Sequence, residues 1–131
     1  FLNPVSYLKE VNDKDSRKIN TIYSYTAQHF KDAVSLPVVA DLINLTPSAF
    51  CRYFKTRTRK SYFDYLSEVR ISYACELLME NNLDISEICF SSGFNSLSNF
   101  HKLFKRIVKL TPSEYREKGT KKVSGGLTVE R

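Results

Sequence analysis

Cationic side chains are concentrated in two blocks of this sequence, and such concentrations of positive charge can bind anionic groups. Residues 52–60 hold five Lys or Arg and no acid, and residues 101–122 hold eight against two acids. Residues 61–100 run the other way, with six acids and one arginine, so the net charge of +6 is unevenly spread. Such blocks suit the neutralisation of nucleic-acid phosphates. Solvation of a helix face would explain one block, but two blocks at matched positions favour nucleic-acid binding.

Side chains that could perform covalent or metal-assisted catalysis are sparse. Cys51, Cys75 and Cys89 have no metal-ligand spacing, and the only histidines are His29 and His101. Cys51 has no paired base in the pattern, which makes it a weak candidate nucleophile. We therefore expect no enzymatic activity, no metal and no cofactor, with reduced thiols in a cytosolic protein. No apolar run reaches the length of a membrane span.

The two basic blocks accompany a motif that occurs twice, 50 residues apart. Thr46-x-x-x-Phe50-x-x-x-Phe54-Lys55 recurs as Ser96-x-x-x-Phe100-x-x-x-Phe104-Lys105. In each copy a hydroxyl residue can cap a helix, two aromatics lie on the core face, and basic side chains lie on the other face. A short apolar segment and a turn residue, Asn44 or Gly93, precede each copy. The pattern predicts two helix-turn-helix units that read two stretches of one DNA groove.

Helical periodicity and capping signals run along most of the chain, and no segment reads as a strand. The sequence predicts an all-α fold of about seven helices, with two helix-turn-helix subdomains joined by a long central helix. The DNA-binding domain is expected over about 16–117, with a first helix over about 16–30, a first helix-turn-helix over about 35–58, a linker helix over about 62–80 and a second helix-turn-helix over about 84–107. Residues 1–15 are expected to be a linker or the end of a missing upstream domain. Residues 118–131 are predicted to form a disordered tail after a short last helix.

The outer face of each predicted reading helix carries side chains that could contact bases. Arg52 can donate two hydrogen bonds to guanine O6 and N7, and Lys102 can reach the same acceptors. Ser48 and Ser98 can donate to a phosphate or a base. Leu97 has two interpretations of about equal weight, contact with a thymine methyl group or packing against its neighbours.

A second set of residues lies around the reading helices and is predicted to contact phosphates. These are Thr46, Lys55, Arg57, Arg59, Lys60, Ser96, His101, Lys105, Arg106 and Lys109. For His101 a plain surface role is the alternative, and its isolation argues against a metal site.

Residues in both units also match the pattern of a known family. The second unit contributes Ile85-Ser86-Glu87-Ile88-Cys89, Gly93-Phe94, Ser98-x-Phe100-x-x-x-Phe104-Lys105 and Thr111-Pro112-Ser113-Glu114-Tyr115-Arg116, and the first contributes Ala40, Thr46-Pro47-Ser48, Phe50, Phe54-Lys55, Tyr65-Leu66, Arg70, Ala74 and Leu77-Leu78. Over about residues 16–117 the chain resembles the DNA-binding domain of AraC/XylS-type bacterial transcription regulators. The resemblance implies base-reading roles, by position, for Ser48, Cys51, Arg52, Leu97, Ser98 and Lys102.

The chain departs from the usual pattern of that family at four positions. Asn44, Arg59 and Lys109 stand where glycine is usual, and Cys89 stands where alanine is usual. The changes at Arg59 and Lys109 replace backbone freedom by charge, which could add phosphate contacts. They leave open the geometry of the loop after each reading helix.

The resemblance further implies a bacterial transcription regulator, cytoplasmic and nucleoid-associated, whose two recognition helices enter successive major grooves of double-stranded DNA. RNA polymerase is a candidate partner. A missing sensor domain is expected to bind a small molecule and to dimerise, so this domain by itself is expected to be a monomer that binds DNA without an effector. The alternative is a helical protein-interaction module whose basic faces only keep it in solution.

Overall fold

Seven α-helices make up most of the part of the chain that the computed structural model describes, residues 13–80 and 82–125. They are α1 Asp13–His29, α2 Leu36–Leu42, α3 Pro47–Thr58, α4 Tyr62–Glu80, α5 Ile85–Ser91, α6 Leu97–Val108 and α7 Pro112–Gly125. Within those residues there is no strand. The predicted all-α fold with a long central helix is confirmed. Residues 1–12 of the linker predicted over residues 1–15 lie outside the described residues. The backbone from Asp13 already belongs to α1.

The helices form two compact units. Unit 1 takes the described residues up to His29 and then Ala33–Asp64, and unit 2 takes Phe30–Asp32 and the described residues from Tyr65 onward. The central helix α4 therefore begins in unit 1 and continues in unit 2. Each unit contains one helix-turn-helix, formed by α2 and α3 or by α5 and α6.

Aromatic rings form the centre of unit 1. Phe50 and Phe54 of α3 have no exposed surface, and the ring of Tyr62 meets them edge-on at centroid distances of 5.3 and 5.4 Å. The Tyr62 hydroxyl lies 2.7 Å from the buried hydroxyl of Thr26, which also donates to the carbonyl of Ile22 at 2.8 Å. The buried polar groups therefore have hydrogen-bond partners, as a stable core requires.

Unit 2 has a matching core around α6. Phe100 and Phe104 have no exposed surface and pack with Ile88, Cys89 and Phe94. Residues of α4 close this core from another side, namely Ile71, Ala74 and Leu78. The four motif phenylalanines, two in each unit, are thus confirmed as core residues. Their burial fixes which face of α3 and of α6 remains outside.

The structural repeat is longer than the sequence motif. α3 and α6 begin and end 50 residues apart, and α4 and α7 also begin 50 residues apart, at Tyr62 and Pro112. Each unit thus presents the same order of a short helix, a 12-residue helix and the start of a third helix. At the start of α7 the backbone N–H of Thr111 donates to the Glu114 carboxylate at 2.9 Å, and the N–H of Glu114 donates to the Thr111 hydroxyl at 3.1 Å. This reciprocal capping fixes the first turn of the third helix.

The last helix continues past the end that the sequence predicts. Residues 118–131 were predicted to form a disordered tail, but α7 runs to Gly125, so residues 118–125 are helical and 126–131 lie outside the description. Gly119 provides a physical reason, because it is buried against the end of α4 and a Cβ there would overlap the Met79 thioether. The contact needs two helices that are far apart in sequence, so helical periodicity near residue 119 could not reveal it.

Candidate nucleic-acid interface

The outer face of α3 carries the first set of predicted base-reading residues. Ser48, Cys51 and Arg52 are exposed, while Phe50 and Phe54 point into the core. Positions three and four apart share a helix face, so Ser48 lies beside both Cys51 and Arg52. Unit 1 therefore brings a hydroxyl, a thiol and a guanidinium together on one accessible surface of one helix.

The outer face of α6 carries the second set. Ser98, His101 and Lys102 are exposed at the positions that correspond to Ser48, Cys51 and Arg52. Leu97 behaves differently, because it is half-buried and packs against the core of unit 2. Of its two interpretations, the structure favours packing as the main use of this side chain.

Sequence reasoning missed one exposed polar residue on the same face of α6. Asn99 is exposed in the first turn, and its spacing places it beside Lys102. An asparagine amide can pair with adenine N6 and N7. The signal that could have found it is its three-residue spacing from Lys102, which places both side chains on one face of the helix.

The first turn of each reading helix offers hydrogen-bond donors. The hydroxyls of Thr46 and Ser96 accept from the backbone N–H of Ala49 and Asn99 at 3.2 and 3.1 Å. Each hydroxyl keeps its own hydrogen for a further acceptor, and helix N-termini attract anions. The copies differ at the first helical position, since Pro47 lacks the N–H that Leu97 retains.

The last turn of each reading helix carries exposed cations. On α3 these are Lys55 and Arg57, followed by Arg59, and the Arg57 guanidinium lies 5.2 Å from the centre of the Tyr53 ring. On α6 they are Lys105 and Arg106, followed by Lys109, all exposed. Lys60 is half-buried. Cations at a helix C-terminus are also favoured by the helix dipole, which gives these residues a structural role beside any contact with phosphate.

Lys105 has a negatively charged neighbour within the chain. Its Nζ lies 3.9 Å from Glu114 Oε1, and both side chains are more than half exposed. The hydrogen bond from the backbone N–H of Thr111 is the main reason that the pKa of Glu114 lies below its ordinary value, and the positive charge of Lys105 lowers this pKa further. Glu114 is thus a carboxylate neighbour of Lys105, and their ion pair is weak because exposed ion pairs are screened by water and salt.

The turn of the first helix-turn-helix and the loop after each reading helix adopt a left-handed backbone without glycine. The φ angles are 60° at Asn44, 68° at Arg59 and 75° at Lys109. The sequence left this loop geometry open, and the structure shows that both C-terminal caps adopt the conformation that glycine would favour. Arg59 and Lys109 are both exposed, so each unit bears a cation on a strained cap.

The described residues contain no group of three His, Cys, Asp or Glu side chains that could hold a metal ion. They also contain no helix of the length and apolarity that a membrane crossing requires.

Comparison with known proteins identifies the class to which this geometry belongs. Residues 39–118 match the family described as helix-turn-helix domain, and this match covers more than half of the chain. The chain belongs to this family. Its resemblance to the DNA-binding domains of AraC/XylS-type regulators is likewise confirmed by relatives and solved structures of that type.

Three similar proteins illustrate the relationship. The HTH-type transcriptional activator RhaS of Enterobacter sp. (strain 638) is 28% identical over 112 residues, which are 86% of this chain and 40% of RhaS. The C-terminal domain of AraT, a response regulator from Geobacillus stearothermophilus, is 27% identical with a TM-score of 0.74, covering 80% of this chain and 88% of that one. The DNA-binding domain of AdpA, solved with a target DNA, has the same fold at 20% identity with a TM-score of 0.71, covering 77% and 91%. This chain spans about two fifths of the length of relatives such as RhaS.

Proposed function

We propose that this domain binds double-stranded DNA sequence-specifically as part of a bacterial transcription regulator, with α3 and α6 as recognition helices in successive major grooves. The observation that carries the proposal is the matched design of the two helices. Both have 12 residues, a hydroxyl cap, two phenylalanines without exposed surface and an outer face of polar and cationic side chains. An α-helix with such a face fits the major groove.

Base recognition is assigned to the outer faces. Arg52 can donate two hydrogen bonds to guanine, Lys102 can reach the same acceptors, and Asn99 can pair with adenine. Cys51, Ser48 and Ser98 complete the two exposed faces, and Leu97, the half-buried first residue of α6, lies at the margin of the second face. Because corresponding positions hold Arg52 and Lys102, or Cys51 and His101, the two helices present different donors. We therefore expect a binding site without internal symmetry.

Phosphate contacts are assigned to the ends of the helices. At the N-terminal ends the capping hydroxyls of Thr46 and Ser96 stand beside backbone N–H groups. At the C-terminal ends stand the cations Lys55, Arg57, Arg59, Lys60, Lys105, Arg106 and Lys109, with His101 on the outer face of α6. Such contacts fix the register of a protein on DNA, while base contacts select the sequence.

The names of the relatives support a proposal about the setting of this activity. RhaS is named as a transcriptional activator, and we extend that role to the protein that contains this domain. We further propose a cytoplasmic, nucleoid-associated location, RNA polymerase as a partner, and a sensor domain outside these residues that binds a small molecule and dimerises. We assign no catalytic role to the exposed thiol of Cys51 or to any other side chain of this domain.

Selection of bound sequences from random duplexes tests the proposal directly. We expect enrichment of an asymmetric site with two elements about one helical turn apart, near 34 Å. Footprinting of the enriched duplex should show protection in two successive major-groove segments. No enrichment over random DNA, combined with binding to a protein partner, would favour the protein-interaction module. Protection of a single groove segment would refute the role of one of the two helices.

A further inference from the structure

The segment between α1 and α2 is held by side chains of unit 2. Phe30–Asp32, which we call the connector, groups with unit 2, although the chain on both sides of it belongs to unit 1. The chain thus leaves unit 1 after His29 and returns to it at Ala33. What holds the connector in place is therefore part of the link between the two units.

Arg70 of α4 provides the main hold. Its Nε donates to the carbonyl of Phe30 at 2.7 Å, and its Nη2 donates to the carbonyl of Asp32 at 2.9 Å. Two bonds from one planar guanidinium fix both the position and the direction of the connector, and a charged donor makes each bond stronger than a neutral one. Lysine, with a single ammonium group, cannot reproduce this geometry.

The turn of the second helix-turn-helix closes on the same place. Gly93 has φ 103°, and a Cβ at this position would overlap the Phe30 carbonyl and would lie 2.7 Å from Arg70 Nε. The next residue, Phe94, has its ring 5.8 Å from the Arg70 guanidinium and 5.3 Å from the ring of Phe100 in α6. Direct contacts therefore lead from the connector through Arg70 and Phe94 to the second recognition helix.

Tyr73 adds a further contact from α4. Its ring meets the ring of Phe30 edge-on at 5.3 Å, and the Lys31 ammonium lies 4.4 Å from the centre of the Tyr73 ring. The connector is thus held by its backbone carbonyls and by two of its side chains.

We propose that Arg70 is a positioning residue that couples the two recognition helices by clamping the connector to unit 2. The chain passes between the two units only at the connector and within α4, and the closed clamp fixes the connector to α4 inside unit 2. A body attached at two places loses rotational freedom that it keeps when attached at one. The inference deepens the two-helix DNA binding proposed above, because coupling fixes the spacing of DNA elements that the domain accepts.

The test compares two arginine-to-lysine variants of this chain. Arg70→Lys opens the clamp, and Arg116→Lys is the matched control, because Arg116 is also half-buried in unit 2 and donates from Nε to a backbone carbonyl, that of Leu78, at 3.2 Å. Each protein is titrated with the selected duplex and with a duplex that carries two extra base pairs between the two elements. The measured quantity is the ratio of the two Kd values.

For the unchanged protein and for Arg116→Lys, the inserted base pairs should weaken binding by about tenfold or more, because the second element is rotated away from its helix. For Arg70→Lys we expect weaker binding to the selected duplex and a ratio below about threefold, as a loosely tethered unit can follow the displaced element. An Arg70→Lys protein that keeps the full ratio overturns the proposal. Tyr73→Leu, which removes the ring contact and keeps Arg70, should lower the ratio in the same direction, and serves if Arg70→Lys does not fold.

A measurement without DNA separates failure of the clamp from failure of the proposed function. The unchanged protein and Arg116→Lys should unfold by heat in one transition, with equal calorimetric and van't Hoff enthalpies. Arg70→Lys should unfold in two steps, one for each unit. If the inserted base pairs leave the Kd of the unchanged protein the same, the proposed two-helix DNA binding is wrong. The number of unfolding transitions of Arg70→Lys then tests the clamp independently of DNA. A single transition for Arg70→Lys, identical in enthalpy ratio to the control, refutes the coupling.

Discussion

Replacing the two strained cations by glycine should make the protein more stable and a weaker DNA binder. Arg59 and Lys109 have φ angles of 68° and 75° at the ends of α3 and α6. The left-handed conformation costs a residue with a side chain about 1–2 kcal/mol, and glycine avoids this cost. Glycine in turn loses about 0.4–1 kcal/mol through the greater freedom of the unfolded chain.

The helix dipole reduces the expected gain further. A cation at an exposed helix C-terminus contributes about 0.3–1 kcal/mol, which the replacement removes. Taken at the middle of these ranges, the balance is a gain of about 0.15 kcal/mol at each site, hence about 0.3 kcal/mol for Arg59→Gly with Lys109→Gly. In a domain of this size such a gain raises Tm by roughly 1–2 °C. Thermal unfolding followed by circular dichroism measures it.

DNA binding should change in the opposite direction. If both cations neutralise phosphates, the slope of log affinity against log salt should fall in magnitude by about 1.8, which is about 0.9 for each contact. Fluorescence anisotropy between about 50 and 200 mM salt spans the range in which this difference is large. The measurement uses one labelled duplex, so that base contacts stay constant.

Asn44→Gly is the matched control for this experiment. Asn44 has the same left-handed backbone, with φ 60°, but carries no charge and follows α2 instead of a reading helix. It should change stability by less, since asparagine tolerates this conformation better than arginine or lysine, and the salt slope should stay the same. An unchanged slope in the double variant would show that Arg59 and Lys109 only solvate their loops. A lower Tm in the double variant would show that strain at these caps is smaller than the helix-dipole and unfolded-chain contributions together.

The other predictions concern the reading helices and the assembly. Arg52→Ala should cost about 1–3 kcal/mol on the selected site and relax the preference at one base pair; equal weakening on all sequences would assign Arg52 to phosphate instead. Asn99→Ala should relax the preference for adenine at one position, while Ser91→Ala, an exposed change on α5, should not; a selected sequence that stays the same would remove Asn99 from the base-reading set. Phe104→Ala should destabilise the protein by about 3–5 kcal/mol in urea denaturation, because it empties the centre of unit 2; a loss below about 1 kcal/mol would contradict the assigned core. Sedimentation at micromolar concentration should show a monomer that binds DNA without a metabolite, and a stable dimer would move assembly into this domain.

Local signals in the sequence were sufficient for the two helix-turn-helix units. The hydroxyl caps at Thr46 and Ser96 and the phenylalanine pairs act within one helix, so periodicity and capping predicted both the start of each reading helix and its buried face. Exposure of Arg52 and Lys102 follows from the same periodicity. The roles of these side chains on DNA remain predictions, because each depends on an atom outside the protein.

Tertiary structure decided the features that join distant parts of the chain. Arg70 bonds carbonyls 40 and 38 residues away, and Gly119 packs against Met79 at the end of α4; neither contact has a local sequence signal. Leu97 lies at the boundary between the core and the surface of α6. Helical periodicity alone gives packing and DNA contact equal weight there, and only the neighbouring side chains in the fold show that Leu97 packs against the core. At Arg59 and Lys109 residue preference opposes the observed backbone, and the tertiary fold imposes a conformation that sequence alone left open. The sequence by itself determined the reading helices, their N-terminal caps and their buried faces, since these depend on neighbours within about one or two turns. The left-handed caps, the contacts of Arg70 and the packing of Gly119 depend on which distant segments meet in space.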